Sequence, residues 1–358
     1  MKEPIDRALR SIVIRGLNWR LGDSLMTTPY IAAVRELFPN ARITLIIPPR
    51  VARVFEGNPA IDEVICYDTE TTHRSVISRI RFGLMLRKRK FDAAFLLQRA
   101  IEAAIIMRIA GVPMRLGYAS DNRGFLLTHP IAEDEWSLAK ATYHQIDYYM
   151  KMLSAYFALP GTSYPLSIAP LPRDRDSARK KLAGMGIDID ADDYLIIGPG
   201  TSYGVARLWG MENWRALITR LAAERPSLKF IVIGAEHDTE HWAALDGVPN
   251  TVNLVGKTDI GELIALMATC RCVVTIDNGN THLACALNKP LVVLFGTANP
   301  LITGPYHRIE DVIYKKPYCS PCWDRICREG HHKCMKDITV DDVLEKVRER
   351  IDSNYHQR

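Results

Sequence analysis

Six consecutive residues in the C-terminal half combine groups that could bind a charged ligand. Residues 277–282 read DNGNTH and directly follow an apolar run. A helix that begins at such a turn presents unpaired backbone N–H groups to an anion, Gly279 lets the ligand approach closely, and His282 adds a side-chain donor. The alternative for His282 is a histidine that only serves the core. Together with residues 295–297 (FGT), the segment is typical of a site for a mononucleotide diphosphate.

A second polar segment also follows an apolar run. Residues 198–204 read GPGTSYG, and Arg207 lies three residues further on. Glycines and hydroxyl residues such as Thr201 and Ser202 suit a phosphate cradle of backbone N–H donors, and Arg207 could neutralise a diphosphate. The glycine spacing misses the dinucleotide fingerprint by one residue and includes Pro199. A plain turn is therefore the alternative.

Two acidic residues also follow predicted strands. Asp23 lies beside Gly22 after the first strand, where a carboxylate could act as general base on an acceptor hydroxyl. The alternative is that Asp23 caps the helix that follows. Glu236 follows the strand at 230–234, where a carboxylate can accept hydrogen bonds from ribose hydroxyls. The alternative is an acidic residue that stabilises a helix start.

Each of these segments stands at the end of a predicted strand. Continuous β-branched runs predict strands buried on both faces, and they alternate with amphipathic helices. Strands are predicted at 11–16, 42–47, 64–67, 93–97, 194–197, 230–234, 272–276 and 291–296. Helices are predicted at 24–37, 76–89, 100–110, 173–185, 212–224, 259–269, 281–287 and 340–351, with Asp259 as a helix cap.

This alternation predicts an α/β fold of two Rossmann-like domains that face each other across a cleft. The proline-rich segment 159–172 is the predicted linker. We predict an N-terminal domain over 1–165, a C-terminal domain over 173–337, and a terminal helix and tail over 338–358. Ligands of such sheets bind beyond the carboxyl ends of the strands, where the polar segments lie.

The composition is that of a globular protein. The chain has 358 residues, 47% of them hydrophobic and 24% charged, with a net charge of +5. These values exclude a disordered chain, a collagen-like repeat and a small disulfide scaffold. No apolar stretch approaches the roughly 20 residues of a transmembrane helix, and the N-terminus lacks the apolar segment of a signal peptide. We therefore expect a cytoplasmic protein.

Positive charge is concentrated in segment 74–90, which holds seven arginines and lysines. The segment is either the solvated face of a helix or a surface for an anionic partner. Acidic lipid headgroups and a phosphorylated acceptor are the two candidate partners. No partner nucleic acid is expected, because no binding motif and no stripe of interleaved basic and aromatic residues accompanies the charge.

The cysteines fall into two groups. Four lie singly in apolar contexts and are expected to be buried, reduced thiols: Cys66, Cys270, Cys272 and Cys285. The others cluster near two histidines: Cys319, Cys322, Cys327 and Cys334, with His331 and His332. Their C-x2-C-x4-C-x6-C spacing suggests a structural zinc or iron–sulfur site. The alternative is a set of reduced or disulfide-paired thiols.

Several motifs recur in a fixed order along the chain. The N-terminal half contains GDSLMTTP at 22–29, FPNA at 38–41 and NPAID at 58–62. The C-terminal half contains PGT at 199–201, RLW at 207–209, DNGNTHLA at 277–284, KP at 289–290 and FG at 295–296. In this order they resemble glycosyltransferase family 9, the ADP-heptose:lipopolysaccharide heptosyltransferases. The resemblance covers nearly the whole chain, and the combination is far more specific than any single motif.

The resemblance implies a GT-B architecture with the active site between two Rossmann-like domains, the first binding the acceptor and the second the nucleotide sugar. It implies inverting transfer of a heptose from ADP-heptose to the inner core of lipopolysaccharide, on a lipid A–core acceptor. It also implies that the reaction uses no nicotinamide cofactor and no metal. Because the acceptor is of this kind, we also expect the protein to make peripheral contact with the cytoplasmic face of the inner membrane.

The resemblance also assigns roles to residues of this chain. Asp23 falls on the proposed catalytic base of the family. Gly279 and His282 fall on diphosphate contacts, and Asp277 and Glu236 fall on nucleoside contacts.

Two positions depart from the family pattern. Arg207 stands where the family has a phosphate-binding lysine, which keeps the charge and changes its geometry. Asn278 stands where the family has a serine or threonine, which removes one hydroxyl from the phosphate site. Other functions remain open from the residues alone: a transferase for another nucleotide sugar, a nicotinamide-dependent enzyme, or a non-catalytic nucleotide-binding module.

Overall fold

The computed structural model describes residues 9–16, 20–132, 142–161, 163–236 and 242–352. The chain forms two compact units, Met1–Ser167 and Ile168–Arg358. The boundary between them lies inside the proline-rich segment 159–172.

The N-terminal unit contains a six-stranded sheet in which all neighbouring strands are parallel. Its strands are β1 (Ser11–Arg15), β2 (Arg42–Ile47), β3 (Glu63–Cys66), β4 (Ala93–Leu96), β5 (Met114–Tyr118) and β6 (His129–Ile131). Their order is β3-β2-β1-β4-β5-β6, and Val13 of β1 lies between Thr44 of β2 and Ala94 of β4. The strand order reverses between β1 and β4, which creates the crevice where such sheets bind ligands.

The C-terminal unit repeats this topology. Its strands are β7 (Tyr194–Gly198), β8 (Lys229–Val232), β9 (Thr251–Asn253), β10 (Cys272–Ile276), β11 (Leu291–Phe295) and β12 (Val312–Tyr314). Their order is β12-β11-β10-β7-β8-β9, and all neighbours are parallel. Val274 of β10 lies between Ile197 of β7 and Val292 of β11, so the crevice is between β7 and β10. The predicted pair of Rossmann-like α/β units is confirmed.

Helices connect the strands in both units. The N-terminal unit has α1 (Leu21–Leu25), α2 (Thr28–Leu37), α3 (Pro49–Ala52), α4 (Val76–Arg87), α5 (Ile101–Ile109) and α6 (Gln145–Ser154). The C-terminal unit has α7 (Pro172–Ala183), α8 (Met211–Glu224), α9 (Ile260–Thr269), α10 (Gly279–Ala286), α11 (Pro300–Thr303), α12 (Lys333–Lys336) and α13 (Val340–Asp352). Single 3-10 turns occur at Arg53–Phe55, Gly124–Leu126, Val205–Arg207, Ala243–Leu245 and Ile309–Asp311. Within the described residues, no helix has the length and apolar character needed to cross a bilayer.

The predicted cap of α9 is confirmed. The Asp259 carboxylate accepts a hydrogen bond from the Glu262 backbone N–H at 2.8 Å, and Glu262 accepts one from the Asp259 N–H at 3.2 Å. This reciprocal capping box satisfies two backbone donors of the first turn.

The predicted single helix over 24–37 is wrong. α1 begins earlier, at Leu21, and α2 is separate from it. The hydroxyls of Thr27 and Thr28 donate to the carbonyls of Ser24 and Leu25 at 2.6 and 2.8 Å. Pro29 has no N–H to continue the helical hydrogen bonds, so the chain starts a second helix there.

Each unit has its own apolar core. In the N-terminal unit, Val13, Phe82 and Leu86 belong to a cluster between the sheet and helices α4 and α5. In the C-terminal unit, the core includes Val274 and Trp214, and α13 contributes Val343, Leu344, Val347 and Ile351. The terminal helix is therefore part of the packing of the C-terminal unit.

Candidate active site

In the C-terminal unit, two of the predicted polar segments meet at the crevice of the sheet. Gly198 at the end of β7 pairs with Thr275 of β10, and the Thr275 hydroxyl donates to the Gly198 carbonyl at 2.7 Å. A Cβ at Gly198 would lie 2.6 Å from Thr275 Oγ1 and 2.7 Å from Asn280 Nδ2. Only glycine allows this close approach. The loop after β7 and the start of α10 are therefore neighbours.

Asn278 joins the two segments. Its side-chain oxygen caps α10 by accepting from the Asn280 N–H at 2.8 Å, and it lies 3.2 Å from the Thr275 hydroxyl oxygen. Its amide nitrogen donates to the Gly200 carbonyl at 2.7 Å. A serine or threonine could cap the helix but could not donate to this loop in the same way. Asn278 thus fixes the loop after β7.

Arg207 and Asp277 form a buried ion pair at the same edge. Arg207 Nη1 lies 2.9 Å from Asp277 Oδ2 and donates to the Asp277 carbonyl at 3.0 Å. The side chains are 10% and 8% exposed. Burial raises the pKa of the Asp277 carboxyl, and the charge of Arg207 opposes that rise. The guanidinium also lies over the Tyr203 ring, 3.8 Å from its centroid.

Two buried polar atoms at this edge have no protein acceptor or donor in the described part of the chain. They are Arg207 Nε and the hydroxyl of Thr297, which follows β11. A buried polar group without a partner costs free energy, of the order of 1–3 kcal/mol. Atoms of this kind indicate a place where a polar ligand can bind.

His282 and Gly279 lie in the first turn and a half of α10. Gly279 is the first helical residue, and His282 is buried, with 5% of its surface exposed. The Arg207 guanidinium contacts Asp277 two residues before α10, so the helix N-terminus lies close to Arg207. The arrangement can hold an anion by a helix N-terminus and charged or polar side chains.

The other predicted site residues of the C-terminal unit are Thr201, Ser202 and Glu236, and they are partly or fully exposed. Thr201 accepts from the Tyr203 N–H at 3.1 Å and so stabilises the turn. Ser202 is exposed, and Glu236 is exposed in the loop after β8. His237, which follows Glu236, lies outside the described residues.

Sequence reasoning missed that the cysteine-rich segment supports the loop after β7. The Tyr203 hydroxyl donates to the Trp323 carbonyl at 2.6 Å, and the Ala206 N–H donates to the Arg325 carbonyl at 3.1 Å. Gly204 has a φ of +157°, and a Cβ there would overlap the Arg325 backbone. Gly204 was the one signal in the sequence for this contact.

The four clustered cysteines are unpaired thiols in the structure. Cys319 Sγ lies 3.8 Å from His331 Nε2, and Cys334 is buried below Gly296. Burial, then the negative charge that the other three sulfurs carry as thiolates, raises the pKa of Cys334 to about 11. In the part of the chain that the structure describes, no three His, Cys, Asp or Glu side chains are grouped closely enough to hold a metal ion.

In the N-terminal unit, Asp23 lies near the crevice between β1 and β4. It is the third residue of α1, in the first turn, and is half-buried. The alternative in which Asp23 caps the helix is wrong, because the N-cap residue is Arg20. A carboxylate in the first turn is favoured by the helix dipole.

Tyr149 is a neighbour of Asp23 that the sequence did not reveal. It belongs to α6, is buried, and is hydrogen-bonded to the Gln145 amide. Burial, then the negative charge of Asp23, raise the pKa of Tyr149 well above its usual value. The hydroxyl is therefore neutral at physiological pH.

Arg123 holds the loop after β4 on the other side of this crevice. Its guanidinium is fully buried and donates to the carbonyls of Tyr118 at 2.8 Å and Ala100 at 3.3 Å, and to that of Gln98. This loop carries Arg99, whose charge acts on Tyr149. Arg123 thus has a structural role through Nε and Nη1, which donate to backbone carbonyls.

Comparison with known proteins adds the family. The sequence model of glycosyltransferase family 9 (heptosyltransferase) matches residues 79–333. Lipopolysaccharide heptosyltransferase 2 of Salmonella typhimurium is 26% identical over 343 residues, which cover 94% of this chain and 97% of that protein.

Two solved structures share the fold. A family 9 glycosyl transferase from Veillonella parvula has a TM-score of 0.84 at 22% identity, covering 97% of this chain and 99% of that one. The E. coli ADP-heptose lps heptosyltransferase II has a TM-score of 0.77 at 23% identity, covering 95% and 98%. These likenesses confirm the predicted GT-B class of two α/β domains. With the family match over most of its length, the chain belongs to glycosyltransferase family 9 (heptosyltransferase) and is a glycosyltransferase.

Proposed function

We propose that this enzyme transfers a heptose from ADP-heptose to the inner core of lipopolysaccharide. The observation that carries the proposal is the similarity to lipopolysaccharide heptosyltransferase 2, which extends over nearly the whole of both chains. The E. coli neighbour, an ADP-heptose lps heptosyltransferase, supports the choice of donor.

In this proposal the C-terminal unit binds the donor. The diphosphate lies at the N-terminus of α10, where Gly279 and His282 contact it. Its oxygens would satisfy the buried Arg207 Nε and Thr297 hydroxyl. The exposed Glu236 and Asp277 contact the nucleoside, and Asp277 also orients Arg207 through their ion pair.

The loop after β7 completes the proposed diphosphate site. Thr201 fixes the turn, Ser202 offers an exposed hydroxyl, and Asn278 holds the Gly200 carbonyl in place. Because these groups are fixed before the ligand arrives, they stabilise the negative charge that develops on the leaving nucleoside diphosphate. The proposal includes no cofactor and no metal.

In the N-terminal unit, Asp23 acts as general base. Its carboxylate takes the proton from an acceptor hydroxyl, and the oxygen attacks the anomeric carbon as the bond to the diphosphate breaks. Attack on the face opposite the leaving group inverts the configuration at that carbon. A positioned base of this kind contributes roughly 10²–10⁴-fold to a rate.

The acceptor in this proposal is a lipid A–core molecule bound by the N-terminal unit. Such an acceptor is anchored in the inner membrane. We therefore place the enzyme in the cytoplasm, in peripheral contact with the cytoplasmic face of that membrane.

A donor screen tests the function. Purified enzyme is incubated with a heptose-deficient lipid A–core acceptor and, in turn, with ADP-heptose, UDP-glucose and GDP-mannose. We expect a mass increase of one heptose with the ADP sugar alone. Transfer of a hexose in preference would assign another donor, and ADP binding without turnover on any donor would indicate a non-catalytic module.

The stereochemistry of the product tests the mechanism separately. The anomeric configuration of the added heptose is measured by NMR and compared with that of the donor. Inversion is expected, and retention would exclude a single displacement with Asp23 as base.

A further inference from the structure

Helix α4 carries apolar residues on two opposite faces. Phe82 and Leu86 are buried in the core of the N-terminal unit. The opposite face leaves five aliphatic side chains exposed: Val76 (70%), Ile77 (64%), Ile80 (42%), Leu84 (49%) and Met85 (41%). The core of the N-terminal unit therefore buries Phe82 and Leu86 but none of the five exposed side chains. An exposed apolar helix face of this kind is typical of a docking surface.

Helix α5 extends this outer surface. Gly83 lets the two helices approach closely, because a Cβ there would lie 2.9 Å from Ile109 Cγ2. Ile80 lies one turn before Gly83, and Ile105 lies one turn before Ile109. The exposed stripes therefore flank the contact between the helices. On α5 the exposed residues are Ile101 (37%) and Ile105 (41%). We call these seven aliphatic residues, with the basic residues of segment 74–90, the α4–α5 face.

The charge on the α4–α5 face that is not paired is positive. Helix α4 contains no acidic residue. Five exposed basic side chains have no ion-pair partner in the described parts of the chain: Arg74, Arg81, Arg87, Lys88 and Lys90. Nearby carboxylates are already engaged, since Glu63 pairs with Arg89 at 2.8 Å and Glu102 pairs with Arg79 at 3.0 Å.

We propose that the α4–α5 face docks on the surface of an anionic phospholipid bilayer. The aliphatic side chains enter the boundary between headgroups and acyl chains, and the unpaired basic groups contact lipid phosphates. The inference rests on the proposed function for its location, the cytoplasmic leaflet that holds the acceptor. A second copy of this chain is disfavoured as the partner, because a twofold contact would place two basic faces against each other.

The affinity has two components that can be separated. Each basic residue near an anionic surface contributes about 1 kcal/mol, and this part is screened by salt. The aliphatic part is not screened. Binding should therefore weaken at about 1 M salt, where the Debye length is about 3 Å.

The test is co-sedimentation of the full chain with vesicles, without substrates. One set of vesicles is phosphatidylcholine alone, and the other contains equal parts of phosphatidylcholine and phosphatidylglycerol. We expect binding to the second set and little to the first. Arg81→Gln with Lys88→Gln should lower the partition coefficient about 30-fold, the equivalent of two contributions of about 1 kcal/mol. Ile77→Ser with Leu84→Ser should abolish the binding that remains at high salt.

Matched controls use exposed residues of the C-terminal unit. Lys180→Gln with Lys336→Gln removes the same charge, and Leu301→Ser with Ile309→Ser removes similar apolar surface. Both should leave vesicle binding unchanged. Circular dichroism and thermal unfolding confirm that each variant is folded.

Several outcomes overturn the inference. They are equal binding to neutral vesicles, no binding, equal losses in the control variants, or a dimer in sedimentation velocity that Leu84→Ser dissociates. An enzyme that transfers heptose to a detergent-dispersed acceptor yet ignores vesicles would retain the proposed function and lose this inference. An enzyme that binds vesicles through this face without transferring heptose would retain this inference and lose the proposed function.

Discussion

The two units have the same strand order, yet their crevices carry opposite chemistry. Between β7 and β10, a buried arginine lies close to the N-terminus of α10, the helix that carries a buried histidine. Between β1 and β4, the comparable position carries a carboxylate, Asp23, on a short helix. The topology therefore fixes where a ligand can bind, and the residues that follow the strands decide its charge.

The crevices also differ in how they are held. In the C-terminal unit, Asn278 and the Arg207–Asp277 pair connect the loop after β7 to the start of α10. In the N-terminal unit, α1 has five residues and no side-chain cap. A site for a diphosphate needs several donors fixed at once, whereas a general base needs one group within reach of a proton.

Asp23→Asn should have the largest effect on activity. The amide cannot take the proton from the hydroxyl of the acceptor substrate, so kcat should fall by roughly 10²–10⁴-fold. ADP binding, measured by calorimetry, should stay within error because the donor residues lie in the other unit. Glu70→Gln is the control, since it changes an exposed carboxylate that pairs with Arg50. If Asp23→Asn kept the wild-type kcat, Asp23 would not be the general base, and the proposed chemical role of the N-terminal crevice would be wrong.

Arg207→Met should have the largest effect on stability. It leaves Asp277 as a buried carboxylate without its ion-pair partner, which costs about 3–5 kcal/mol of unfolding free energy. Urea denaturation measures this loss. Asp277→Asn added to Arg207→Met should recover a large part of it. If the double variant is no more stable than Arg207→Met, the ion pair does not hold this crevice together.

The stability of Arg207→Met should also depend on pH. Burial raises the pKa of Asp277 in the folded state, and loss of the arginine charge raises it further. As pH falls from that raised value towards the unfolded value of about 3.9, the folded protein takes up a proton that the unfolded chain does not. Unfolding free energy should therefore rise on acidification through this window. The double variant with Asp277→Asn lacks the titrating carboxyl and should show no such rise. A flat profile for Arg207→Met itself would contradict the assignment.

Asn278→Ala should have a smaller effect that separates capping from ligand binding. Loss of the cap costs about 0.5–2 kcal/mol, and loss of the bond to Gly200 loosens the loop after β7. Asn299→Ala is the matched control, because Asn299 caps α11 by accepting from the Leu301 N–H at 3.0 Å. Both variants should lose stability, and only Asn278→Ala should weaken ADP binding in calorimetry. Equal ADP affinities would show that the bond to Gly200 does not shape the donor site.

Tyr149→Phe should have the smallest effect. The hydroxyl stays neutral near Asp23, so its removal takes away one dipole and no charge. A single hydrogen bond contributes about 0.5–1.5 kcal/mol, which limits the fall in kcat to about tenfold. Tyr156→Phe removes a hydroxyl that donates to the Pro130 carbonyl and is the control. A larger fall in Tyr149→Phe would mean that the hydroxyl takes a direct part in proton transfer.

The sequence revealed the central strands because they are continuous apolar runs. Strands β2 and β10 occupy the predicted ranges 42–47 and 272–276. The three-residue strands β6, β9 and β12 were missed, since they lie at or near sheet edges and are only half-buried. β5 and α6 were missed as well, and with α6 the position of Tyr149.

The candidate site was predicted in part for the same reason. The positions of Asp23, Arg207 and the 277–282 segment followed from where the strands end. The groups that these residues contact did not follow from the sequence. Asn278 contacts a carbonyl 78 residues away, and Arg207 contacts the carboxylate of a residue 70 positions away.

The sequence by itself determined the class of fold, the capped start of α9 and the family, because local periodicity and ordered motifs are properties of short segments. Only the tertiary structure decided that Asn278 is hydrogen-bonded to the loop after β7, that Arg207 forms an ion pair with Asp277, and that α4 has a second apolar face exposed to solvent. The physical reason is that ion pairs, caps across loops and exposure depend on which strands become neighbours. That choice is made by the packing of the whole unit.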